Sequence, residues 1–225
     1  MENLTTLPEV GERFRDLSPE EPEKVYPSSF FTPLLPDSPV AVGETWALDR
    51  EFVETLLSQF SSTVQGEMNF DGSGAFATLR ARTDAYWEIA VRMHAQFAYP
   101  GEVYLSPSSF EGRVVIDLRG KKVEYLSLFV PHHHERNIAF EVHSGEFLTG
   151  LGSAPRIELS GGGEALHNWT EEIPEAKARE LLAQQFFPFE KLDWLPLDKA
   201  LERAAESKSP LFVVVIEGAL TDQSC

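Results

Sequence analysis

Trp87-Glu88-Ile89-Ala90-Val91-Arg92-Met93-His94-Ala95-Gln96-Phe97 has an apolar residue at every odd position and a polar one at most even positions. A period of two marks a β-strand with one face turned to a core. The pattern predicts one long strand over 87–97, with His94 on the polar face. Further strand patterns occupy 75–82, 110–118, 123–130 and 137–143. Asp71-Gly72-Ser73-Gly74, Tyr99-Pro100-Gly101 and Arg119-Gly120-Lys121 supply turns between them. Strands joined by such short turns favour an antiparallel sheet.

Upstream, residues 1–29 are acidic and Pro-rich and predict a disordered tail. Phe30-Phe31-Thr32-Pro33-Leu34-Leu35 predicts an extended segment lying along the domain. Asp49 can cap a helix over about 50–60, whose apolar face is Phe52, Val53, Leu56, Leu57 and Phe60. The β-rich domain with this one helix is thus placed at 30–170. Ser160-Gly161-Gly162-Gly163 predicts a flexible loop; no GK[ST] follows it, which argues against a phosphate loop.

Downstream the pattern changes. A helix is expected over 174–185, with Pro174 in its first turn and Ala178, Leu181 and Leu182 on one face. Lys191-Leu192-Asp193-Trp194 fits a short strand. A second helix is expected over 196–206, with Leu197, Ala200, Leu201 and Ala204 spaced along one side. Leu211-Phe212-Val213-Val214-Val215-Ile216 is apolar throughout and predicts a strand buried on both faces. A buried strand, then a loop, then a thiol is how a thioredoxin-like redox site begins. The fold class expected is therefore α+β: an antiparallel β-rich domain, then the incomplete first half of a thioredoxin-like unit over 171–225.

Composition narrows the function. The 225 residues include sixteen Phe and four Trp and carry a net charge of −17. Such a surface repels phosphate backbones, so nucleic acid is not an expected partner. No apolar run reaches the length of a membrane span, and Met1 to Asp16 has no apolar signal core. The expected compartment is cytoplasmic. The single cysteine, Cys225, excludes an internal disulfide framework and a CxxC or zinc-ribbon site. A thiolate is the nucleophile in disulfide exchange, and a helix N-terminus lowers its pKa. One sulfur cannot cycle alone, so a second chalcogen is required, in the chain or on a partner.

Histidines offer a different chemistry. His132, His133 and His134 are consecutive, and neighbours in an extended loop diverge rather than converge on one ion. His134 with His143 could meet across a hairpin, but no carboxylate spacing supports them. No resident metal or other cofactor is expected, although a His-based metal-binding protein stays open as an alternative. No acidic spacing suits an EF-hand, and no GxSxG signposts a serine nucleophile. A non-catalytic sheet module that binds a protein partner is the other alternative.

Several segments resemble the selenoprotein N family: Val91 through Phe97, Leu105-Ser106-Pro107 through Phe110-Glu111-Gly112, and Leu128-Phe129-Val130-Pro131. The helix containing Ala200 and the segment Gly218-Ala219-Leu220-Thr221-Asp222-Gln223-Ser224-Cys225 complete the set. The resemblance covers about 30–225 and is most specific at Ser224-Cys225, where the family continues Ser-Cys-Sec-Gly. It implies a short form of bacterial type, cut just before a selenocysteine encoded by UGA. It further implies a thiol–disulfide oxidoreductase in which Cys225 pairs with that selenocysteine and acts on protein thiols or disulfides. A homodimer is compatible with it. On this expectation the 225-residue chain alone is inactive or weakly active. Animal members reside in the endoplasmic reticulum membrane and carry an anchor and an EF-hand. Neither pattern occurs here, so those properties do not carry over.

Overall fold

The computed structural model describes residues 21–60, 74–99, 102–131, 137–143, 148–154, 156–163, 167–187, 192 and 194–213. The class is α+β, with two antiparallel sheets. The larger sheet contains β1 (Thr45–Ala47), β2 (Gly74–Arg82), β3 (Tyr86–His94), β6 (Phe110–Asp117), β7 (Lys122–Phe129) and β10 (Glu158–Gly162), in that spatial order. β11 (Glu171–Glu172) pairs with the end of β2. The smaller sheet runs β4 (Phe97–Tyr99), β5 (Val103–Pro107), β8 (Ile138–Val142) and β9 (Leu148–Gly152).

The strand expected over 87–97 is thus divided between two sheets. Its first part is β3, the centre of the larger sheet; it breaks at Ala95 and Gln96, and Phe97 starts β4. The odd residues do face the main core. Ile89, Val91 and Met93 stand beside Leu79, Ala77 and Ala75 of β2 and beside Val114, Gly112 and Phe110 of β6. The cover on this side is α1 (Arg50–Leu57), with Phe52, Val53, Leu56 and Leu57 buried. Asp49 caps it, its side chain accepting the Phe52 N–H at 2.9 Å.

Four other expectations change. Residues 28–34 form a 3-10 helix rather than an extended segment, because Phe30 and Phe31 turn onto Phe52, at 5.1 and 6.3 Å between ring centres, and Leu34 is fully buried. Ser160, Gly161 and Gly162 are not a loop but the end of edge strand β10, paired to β7. Glycine serves there because β10 lies close to its neighbour: a Cβ on Gly162 would fall on the Glu124 carbonyl, and its φ is +76°. Leu211, Phe212 and Val213 are exposed and form no strand. An all-apolar strand is buried only where other elements cover both its faces, and no described strand flanks this segment. Residues 214–216 lie outside the described residues. Leu192 and Trp194 are not in a strand either.

Gly112 of β6 stands opposite Leu128 of β7. A Cβ at this position would lie 2.0 Å from the Ser127 carbonyl oxygen and 2.9 Å from the Leu128 Cα, both backbone atoms that cannot rotate aside. Gly112→Ala is therefore expected to destabilise by about 3 kcal/mol, the upper end of the usual overpacking cost. Urea unfolding checks this; an unchanged midpoint would show that the strands can part at no cost.

Candidate functional site

The second face of the larger sheet is covered by α2 (Glu175–Phe186). Ala178, Leu182, Ala183 and Phe186 are its buried residues, and Ala178 and Leu182 pack on Ala90 of β3. The even side of β3 is therefore interior as well. Glu88 is 3 % exposed, Arg92 5 % and His94 2 %. The polar face of its strand would put His94 at the surface or an interface, and that expectation is corrected: a strand with polar alternation faces water only if nothing lies over it, and here a helix does.

Burying charge is costly unless it is paired, and each of these groups has a partner. β2 carries a bulge at Arg80, since Leu79 pairs with Ile89 and Ala81 with Glu88. A bulge re-aims a side chain. The Arg80 Nε donates to Glu88 Oε1, and its terminal nitrogen donates to Glu172 Oε2 at 3.1 Å and to the Ile173 carbonyl at 3.2 Å. Burial works against the Arg80 charge, but the two carboxylates more than reverse it and hold its pKa above the ordinary value. Glu88 Oε2 also lies 3.8 Å from Arg113.

The second group begins with Arg92. Its Nε donates to His94 Nε2 at 3.1 Å, and its terminal nitrogen lies 3.6 Å from Glu111 Oε1. Its guanidinium also stands over the Phe186 and Phe187 rings at 5.5 and 5.4 Å. The His94 ring stacks on Phe186 at 3.9 Å. Burial first, and the neighbouring Arg92 charge second, pull the His94 pKa down to about 3. The ring is neutral at physiological pH, accepts at Nε2 and so carries its proton on Nδ1.

Between α2 and the strands these groups frame a cleft of about 360 Å³, lined also by Tyr125, Ser127, Phe129, Glu175 and Arg179. Arg179 donates to Glu175 at 2.5 Å on its own helix and lies 3.6 Å from Glu111 Oε2. That separation is too long for a hydrogen bond. Glu111 Oε2 is a buried oxygen with no hydrogen-bond donor.

Of the residues singled out from sequence, only His94 and His143 fall among the described residues. Cys225, His132, His133 and His134 lie outside the described residues. His143 is exposed, 3.2 Å from Glu141 Oε2. Among the described residues, no group of three or more His, Cys, Asp or Glu is arranged to hold a metal. No described helix is long and apolar enough to cross a membrane.

The cleft residues were missed because each looks like solvated charge. Two signals pointed to them. Opposite charges alternate with His94 along one face of β3, and Ala178, Leu182 and Phe186 recur at helical spacing and need a surface to cover.

The described residues thus define a two-sheet α+β domain with a paired-charge cleft beneath a single helix. The chain is a distant homologue of selenoprotein N. It is 25% identical to "Selenoprotein N" of Danio rerio over 263 aligned positions, covering 89% of this chain and 47% of the relative. It is 24% identical to the Homo sapiens protein, covering 91% of this chain and 45% of the relative. It is 26% identical to that of Mus musculus, covering 77% and 38%. The chain spans about half the length, or less, of the curated relatives it matches. No family model matches it, and no solved structure matches it.

Proposed function

We propose that the chain carries the thiol member of a thiol–disulfide oxidoreductase of the selenoprotein N type, with Cys225 acting beside a selenocysteine at the next position. The observation that carries this reading is the similarity to selenoproteins N over about nine-tenths of the chain, combined with a single cysteine placed in Ser224-Cys225. The reading includes the thioredoxin-like setting for Cys225 that the resemblance implies, and a protein disulfide as substrate.

The selenolate attacks one sulfur of the substrate disulfide; a selenium–sulfur bond forms, the disulfide breaks, and the other sulfur leaves as a thiolate. The Cys225 thiolate then attacks the selenium, closing a sulfur–selenium bond and releasing the first substrate sulfur as a second thiolate. Two electrons pass from the pair to the substrate, and a dithiol donor restores the pair. Adjacent chalcogens close a strained ring, which is readily reduced and suits turnover better than structure.

Sequencing the transcript past codon 225 and weighing the native protein test the reading. An in-frame UGA and a mass containing one selenium are expected, and any amino-acid codon at position 226 other than that for selenocysteine or cysteine ends it. In the selenium-containing protein, Cys225→Ser is expected to lower disulfide-reductase turnover by about a hundredfold or more, since no second group resolves the mixed intermediate. Turnover within a factor of two of the parent would remove Cys225 from the mechanism.

A further inference from the structure

We propose that the cleft between α2 and the outer face of β3, β6 and β7 binds a small zwitterion, a ligand with a carboxylate and a neighbouring ammonium group, as in free α-amino acids. The inference does not depend on Cys225. It rests on what the cleft leaves available once its internal pairs are counted.

Arg80 is held by Glu88, Glu172 and a carbonyl, and Arg92 by His94. Arg113 differs. It makes no hydrogen bond to a described residue, and its nearest carboxylate oxygen, on Glu88, is 3.8 Å away. Its guanidinium stands 4.8 Å over the Tyr125 ring. An arginine supported through its face keeps its in-plane donors free for a carboxylate, to which it can bind in a fork. Its side chain is 38% exposed, so a ligand can reach it.

Glu111 supplies the opposite requirement. It lies two residues before Arg113 on β6, hence on the same face and about 7 Å along the strand. Its Oε2 is buried without a hydrogen-bond donor, the Arg179 guanidinium standing off at 3.6 Å, a costly state that a ligand ammonium relieves. Beside Arg113 in the sheet register stand Ala90 on β3 and Ser127 on β7. Both are small, and both line the cleft, which at about 360 Å³ falls at the small end of ligand pockets.

Charge decides between a zwitterion and a simple anion. Glu88, Glu111 and Glu175 offset all but one of the four arginine charges that line the cleft, and the chain carries a net charge of −17. A phosphate or dicarboxylate would meet those carboxylates and a repulsive long-range field. A ligand with no net charge avoids the field and uses both signs within the cleft.

Calorimetric titration of the full chain with each of the twenty free α-amino acids tests the proposal. For the tightest binder, the matching des-amino carboxylic acid and the matching decarboxylated amine are titrated as half-ligands. At least one amino acid is expected to saturate with a Kd below about 10 mM, and each half-ligand to bind at least about tenfold more weakly. Arg113→Lys, at a partly exposed position, is expected to weaken the amino acid by about tenfold or more through loss of the fork. Glu111→Gln is expected to weaken the amino acid and leave the des-amino acid unchanged. Circular dichroism verifies folding of both variants; the half-ligand series on the parent protein reads the same contacts without any substitution. The proposal is overturned if none of the twenty saturates, if either half-ligand matches the parent, or if two folded variants both keep the Kd within twofold.

Discussion

Glu88→Ala is expected to lower the free energy of unfolding by about 3–5 kcal/mol, the usual cost of removing one member of a buried ion pair. The Glu88 side chain is 4% exposed and that of Arg80 13%, so water cannot replace the lost carboxylate in full. Arg80 would keep only the exposed Glu172 as a charged partner, and Arg113 would lose its nearest carboxylate. Urea denaturation of parent and variant measures the loss. A loss below about 1 kcal/mol would mean that the pair behaves as a solvated surface bridge. Replacing both members, Arg80→Met with Glu88→Leu, is expected to recover much of the stability, because neither charge then remains buried without its partner.

Stability is also expected to fall as the pH drops below about 6.5, with His94 as the cause in the upper part of that range. The folded-state pKa of His94 is about 3 against 6.5 for a free imidazole. The folded protein therefore favours the neutral ring, while the unfolded chain takes up a proton below pH 6.5. The sign follows: the contribution is complete above pH 6.5 and declines as the pH falls toward 3. Its full size is on the order of 5 kcal/mol, and about 2 kcal/mol is lost between pH 6.5 and 5. Arg92 is the charged group beside the ring, Phe186 and Phe187 of the α2 end lie against it, and Gly74 stands opposite on β2. None of these titrates in that window. His94→Gln can still accept from Arg92 and carries no titrating proton. It is expected to flatten the dependence between pH 6.5 and 5 in chemical unfolding measured at several pH values. An unchanged slope would show that His94 protonates in place.

These two expectations concern residues that the sequence placed at the surface. Glu88, Arg92 and His94 were legible as the even side of a strand, but their burial was not. Periodicity reports which residues share a face, whereas burial depends on a second element meeting that face. The element is α2, far downstream, and its own apolar side gave no indication of which surface it would cover. Arg80 was hidden for another reason. Its direction follows from a bulge in β2, and a bulge is a property of the pairing with β3 rather than of either strand alone. For Leu211, Phe212 and Val213 the expectation of a buried strand erred in the opposite sense: apolar composition measures the gain available from burial and supplies no partner, so Phe212 is exposed.

The sequence by itself determined the elements. Local rules suffice for them: Asp49 caps α1 through its own side chain, alternation sets β3, and Pro174 stands immediately before α2. The helices expected over 50–60, 174–185 and 196–206 and the strands expected over 75–82, 110–118, 123–130 and 137–143 begin and end within a few residues of those observed. Tertiary structure alone decided that β3 hands over to a second sheet at Ala95 and that both of its faces are interior. It also decided that four arginines and three glutamates line one cleft. The physical reason is range: a hydrogen-bonded turn or a cap is complete within a few residues, while desolvation and ion pairing depend on distances set by every element that packs nearby.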